Sequence, residues 1–182
     1  NSTWAFGTPS KKVINSAGSG INSWVTGGLD TLFYEDDENS FVISPCFNLS
    51  GFVNPYIRMK IWWNSESDWD GAVLQSSVDG GAMWLNVGAV GYSSGSINWF
   101  NDNSIDGLPG GQPEGWSGRN STNNGSNGWV IAKHPLTGLG GQNGVLFRIA
   151  FGSDVSITDD GFAFDDINIY ELDNAKAACT IT

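Results

Sequence analysis

The run PYIRMKIWW, residues 55–63, alternates without a break. Ile57, Met59, Ile61 and Trp63 fall on one side of an extended chain, and Tyr56, Arg58, Lys60 and Trp62 on the other. A segment with one apolar and one polar face is a strand lying over a core. Working outward from it, GVLFRIAFGSD (144–154) sets Val145, Phe147, Ile149 and Phe151 against Leu146, Arg148 and Ala150, and SFVISP (40–45) is a strand halted by Pro45. GAVLQSSVDGGAMWLNVG (71–88) reads as a hairpin, because Asp79-Gly80-Gly81 tolerates the positive φ of a tight turn. No window carries a capped helical stripe. Short strands at this spacing predict an all-β fold: a two-sheet antiparallel β-sandwich of jelly-roll type, with long loops. Residues 91–128, rich in Gly, Asn, Ser and Asp, form the longest of those loops, a usual place for binding residues.

The chain has 182 residues, enough for one sizeable core. A single domain over 1–170 is expected, with 171–182 as a C-terminal tail or linker stub. Eight Lys and Arg stand against 19 Asp and Glu, a formal charge of -11. That balance repels polyanions, so nucleic acid and anionic membrane surfaces are poor partners. No apolar stretch approaches the roughly 18–20 residues of a membrane span, so no membrane insertion is expected. Nine Trp and 25 Gly suit a β-rich extracellular domain. Cys46 and Cys179 either close one long loop as a disulfide or remain two thiols.

Two adjacent carboxylates interrupt the strand-like core of TDDGFAFDDINIY (158–170). Neighbouring strand residues point to opposite faces, so Asp165 or Asp166 is aimed at apolar packing, where an unpaired carboxylate is costly. A Ca2+ ion drawing oxygens from Asp165, Asp166 and the acidic loop YEDDENS (34–40), through Asp36, Asp37 and Glu38, resolves the conflict. The alternative is a solvated charged turn, with one aspartate capping backbone N–H groups. In ESDWDG (66–71), Glu66, Asp68 and Asp70 share a face if the segment is extended. That is either an acidic turn, able to hold a cation, or the carboxyl pair of a small secreted glycosidase using Glu66.

Exposed indoles among Asn, Asp and Arg make a sugar site, since the C–H face of a pyranose stacks on an aromatic ring. Trp62, Trp69, Trp99 and Trp116 are the candidates for exposure, with Arg119 in GWSGR as a hydroxyl binder; Trp84 and Trp129 are assigned to the core. The single histidine, His134, has no nucleophile or orienting acid signalled in sequence and reads as a structural residue.

The segments STWAFGTP (2–9), INSAGSGINSWVT (14–26), ENSFVISPCFNLS (38–50), DWDGAVLQSSVDGGAMW (68–84), GWSGR (115–119) and FGSDVSITDDGFAFDDINI (151–169) together resemble the MAM-like jelly-roll modules of secreted and surface proteins of Bacteroidetes exported by type IX secretion. The closing GFAFDDINI is similar to the last strand of MAM domains and of calcium-binding carbohydrate-binding modules. The resemblance implies a non-catalytic, calcium-stabilised adhesion or carbohydrate-binding module, a monomeric unit of a larger secreted or cell-surface protein. Its partner would be an extracellular glycan or surface protein. The alternative is a structural spacer with no ligand of its own. MAM domains open with a Cys and a Phe-Glu pair whose Glu serves the calcium site; neither is present here, so that ligand is missing or supplied by another residue.

Overall fold

The computed structural model describes residues 2–91, 94–120 and 124–172. Cys179 lies outside them, and with it any pairing with the exposed Cys46; of the expected tail only Glu171 and Leu172 fall inside. The strands are β1 (Ala5–Gly7), β2 (Ser23–Val25), β3 (Asn39–Ile43), β4 (Phe47–Asn48), β5 (Pro55–Asn64), β6 (Gly71–Ser77), β7 (Leu85–Asn86), β8 (Val130–Pro135), β9 (Asn143–Gly152) and β10 (Gly161–Glu171). They form two antiparallel sheets, one in the order β1-β2-β10-β5-β8 and the other β3-β9-β6-β7, with β4 also on β9. This is the expected β-sandwich.

The alternation in PYIRMKIWW is what builds the interior. Ile57, Met59, Ile61 and Trp63 are buried against Val145, Phe147, Ile149 and Phe151 of the facing sheet. The hairpin forms as read, with Gln75 opposite Asn86 and Ser76 opposite Leu85, and Gly80 and Gly81 take the positive φ its turn requires. β6 departs from alternation, being buried on both faces, because the loop after β7 folds back onto it. Trp116 and Ala72 exchange backbone hydrogen bonds at 2.8 and 3.0 Å. Beside Gly71 the backbone carbonyl of Trp116 stands only 2.5 Å from where a Cβ would lie.

This loop corrects one expectation. Trp99 is 7% exposed and Trp116 0%. Trp116 is packed edge-on against Trp99 and Phe100 and stacked on Phe162. Both indoles expected at the surface are therefore core, because a polar loop this long stays attached only by burying its few large apolar groups. His134 is buried too, its ring 4.6 Å from that of Trp99, and burial depresses its pKa.

Candidate metal centre and adjoining groove

The turn between β5 and β6 places the first two carboxylates. ESDWDG is not extended: the Asp70 N–H donates to the Glu66 carbonyl at 3.0 Å, and Asp68 takes a positive φ. The turn sorts the three acids that an extended segment would align. Asp68 turns toward Asp102, whereas Glu66 and Asp70 come together. Asp154, just beyond β9, joins them, and one carboxylate oxygen from each of Glu66, Asp70 and Asp154 lies within 4.8 Å of the others.

Asp70 is 0% exposed. Its Oδ1 accepts the Asp154 N–H at 2.8 Å and its Oδ2 accepts the Tyr34 hydroxyl at 2.5 Å. Burial pushes its pKa up to about 7 despite both hydrogen bonds, with the Asp154 and Glu66 charges adding to the rise. Burial also raises Glu66, against the pull of Arg119. Arg119 is committed to Asp159 at 2.6 Å. The centre thus has more carboxylate than cation, all donors are oxygen, and the spacing equals about twice a calcium–oxygen distance of 2.3–2.6 Å. The residues fit a hard divalent ion.

The acidic loop lies beside this centre. The Asp37 N–H donates to the Asp154 carbonyl at 2.6 Å, and Ser153 Oγ links the Glu35 carbonyl to the Glu38 N–H. Asp36 and Asp37 are exposed. Glu38 is buried and receives Thr3 N–H, Thr3 Oγ1, Ser40 Oγ and the Glu35 N–H. Next to the loop runs a groove of about 470 Å3, whose lining includes Asp37, Asn39, Trp69, Asp106 and Asp154. Trp69 is 46% exposed there.

Asp165 and Asp166 stand elsewhere. Between Asp165 and Asn168 β10 slips by one residue against β5, and Asp166 sits at φ 51°. This bulge lets both carboxylates avoid the core. Asp166 pairs with Lys60 at 2.9 Å and accepts Ser19 Oγ; Asp165 accepts the Ser19 N–H. The hydrogen bond from Lys60 holds Asp166 below the usual carboxylate range. Gly161, at the start of β10, is the part of the strand that abuts Tyr34; the bulge is four residues or about 13 Å farther along.

A buried ammonium, that of Lys11, lies within electrostatic reach of both the acidic loop and the start of the last strand. Lys11 is 3% exposed, donates to the carbonyls of Gly27 and Leu32, and is flanked by Asp160, Asp30 and Glu38. Asp160, immediately before β10, in turn accepts the Val13 and Ile14 N–H groups. Burial lowers the Lys11 pKa while the three carboxylates oppose the shift.

Of the remaining sequence candidates, Trp62 is half-buried and edge-on to Trp129 in a satellite cluster with Ile14, Val25 and Ala163. Sequence reasoning missed Tyr34 and Asp154. The available signal was Asp154 itself, an acid closing an inward-facing strand.

No family model matches the chain, and no curated protein matches it. Among solved structures it is similar to the K1 cleaved adhesin domain of Lys-gingipain from Porphyromonas gingivalis. The identity is 12% and the TM-score 0.49, over 94% of this chain and 85% of that one. A likeness this distant transfers no site and no function. No helix among the described residues is long and apolar enough to cross a membrane.

Proposed function

We propose that the chain is a non-catalytic binding module of a secreted or surface-exposed protein, stabilised by calcium at Glu66, Asp70 and Asp154. The adjoining groove receives an extracellular glycan, with Trp69 as the stacking surface and Asn39 and Asp106 as hydroxyl partners. The observation that carries this reading is the approach of three carboxylates within 4.8 Å around the fully buried Asp70. Like charges that close repel strongly in a low-dielectric setting, and a divalent ion converts the repulsion into a cross-link. Here the cross-link would tie the β5–β6 turn, which carries Trp69, to the segment just past β9, which lines the same groove. The resemblance to MAM-like modules supports the same reading.

Glu66 and Asp70 also lie near enough to suggest a glycosidase pair. Asp70, however, has no exposed surface and both oxygens bonded. It has no path to a glycosidic oxygen, which favours binding over hydrolysis.

The test is thermal unfolding after chelation. An ion held only by the folded state adds about 2.7 kcal/mol at a hundredfold excess over its dissociation constant. Calcium is expected to raise the melting temperature of chelated protein by several degrees, and Asp154→Asn to abolish that response. An identical melting curve with and without calcium overturns the metal. Quenching of Trp69 fluorescence by neutral oligosaccharides, absent in Trp69→Ala, tests the groove.

A further inference from the structure

The outer face of the β8–β5–β10 sheet is divided in two. Over one half the N-terminal segment lies against the sheet: Ile14 packs with Trp62 and Trp129, and Lys60 reaches the Gly18 carbonyl and Asp166. The other half is partly exposed, with Gly95 of the long loop against the hydroxyl edge of Tyr56, and is built from two cross-strand rows. In one, Asn168, Arg58 and Lys133 stand side by side; in the other, Tyr170 lies beside Tyr56. The two tyrosine rings stack with centroids 6.1 Å apart, and the Lys133 ammonium sits 4.7 Å over Tyr56 and 5.9 Å from Tyr170.

Two features of this half call for an anion. Arg58 and Lys133 are direct cross-strand partners, and like charges directly opposite each other destabilise a sheet. The ion pairs among the described residues are Lys60–Asp166 and Arg119–Asp159; Arg58 feels the Asp166 charge without pairing with it, and Lys133 is in no ion pair. This positive spot sits on a chain of formal charge -11. Physiological salt screens that background beyond about 8 Å, which leaves short-range recognition to the local pair.

We propose that this half-face binds a carboxylated polysaccharide of the hexuronate type. One sugar carboxylate sits between Arg58 and Lys133, relieving their repulsion and using the planar guanidinium fork. The pyranose C–H face lies against Tyr170, which Tyr56 backs from the next strand, and Asn168 bonds a hydroxyl. An acidic peptide would satisfy the two cations but make no use of the stacked rings. The face shares no residue with the groove at Trp69; it extends the binding-module reading to a second surface.

The test is titration of the intact chain with polygalacturonate in chelator-containing buffer at about 0.15 M salt. Pullulan, dextran sulfate and poly-L-glutamate serve as comparisons. Polygalacturonate is expected to bind and pullulan not. Arg58→Gln with Lys133→Gln should weaken polygalacturonate binding about tenfold or more, the scale of one charged hydrogen bond, at an equal or higher melting temperature. Tyr170→Ala should weaken it without touching either charge. Absence of polygalacturonate binding overturns the proposal, as does binding indifferent to the double variant. Equal or tighter binding of dextran sulfate or poly-L-glutamate overturns the assignment to a carboxylated sugar. Because chelator is present throughout, failure here leaves the calcium centre standing, and a missing calcium response leaves this face standing.

Discussion

At the scale of single residues, Lys11 is the side chain with most at stake. Its ammonium is enclosed by two backbone carbonyls and faces three carboxylates from separate segments. Deleting its charge leaves the Gly27 and Leu32 carbonyls without their donor and takes the positive charge away from Asp160 and Glu38. Lys11→Met keeps the apolar stem and deletes only the charge. It is expected to destabilise the protein by about 3–5 kcal/mol in urea unfolding, with Lys11→Arg little better given the close fit at Gly27. A loss below about 1 kcal/mol would show that the cage is solvated.

At the scale of elements, the loop from residue 94 to 120 and the bulge in β10 show how irregular backbone is made stable. The loop is held by backbone exchange between Trp116 and Ala72 and by its aromatic groups in the core. Trp116→Ala empties the largest fully buried side chain and is expected to cost about 3–5 kcal/mol. The resulting protein should remain β-rich by circular dichroism while the loop gains protease sensitivity. The bulge works by geometry instead. A strand in strict register would have sent one of Asp165 and Asp166 into the apolar layer, and one extra residue avoids that.

At the scale of the whole molecule, the acidic centre sets how stability responds to pH. Asp70 has a folded pKa of about 7 against an ordinary 3.8. Between those values the folded state holds a proton that the unfolded chain releases. In metal-free protein this stabilisation is therefore fully present below about pH 4 and lost as pH rises through 7, with Glu66 and Asp159 shifted in the same direction. Asp166, held low by Lys60, acts oppositely at more acidic pH. Calcium needs the deprotonated carboxylates, so its affinity should fall as pH drops from 8 to 6. Melting curves at several pH values with and without calcium should diverge toward high pH; parallel curves would refute the linkage. Asp70→Asn should remove most of the metal-free pH slope.

Side-chain alternation and turn chemistry are local properties of the backbone, so β3, β9, β10, the β6–β7 hairpin and the two-faced β5 were legible in the residues, while β1, β2, β4 and β8 were not. The sequence by itself also marked the acid-rich segments. Which acids meet was decided only by the tertiary structure: Asp70 and Asp154 are 84 residues apart, and their contact exists because β6 and β9 pair. Asp165 and Asp166 found Lys60 and Ser19 instead because of a one-residue register slip, and the buried cation nearest the acidic loop and the start of β10 is Lys11, far from both in sequence. Polar sequence around Trp99 and Trp116 read as surface, yet burial is decided by what packs on a residue, and local composition carries no record of that. Charges act through space, and only the folded chain says which of them are neighbours.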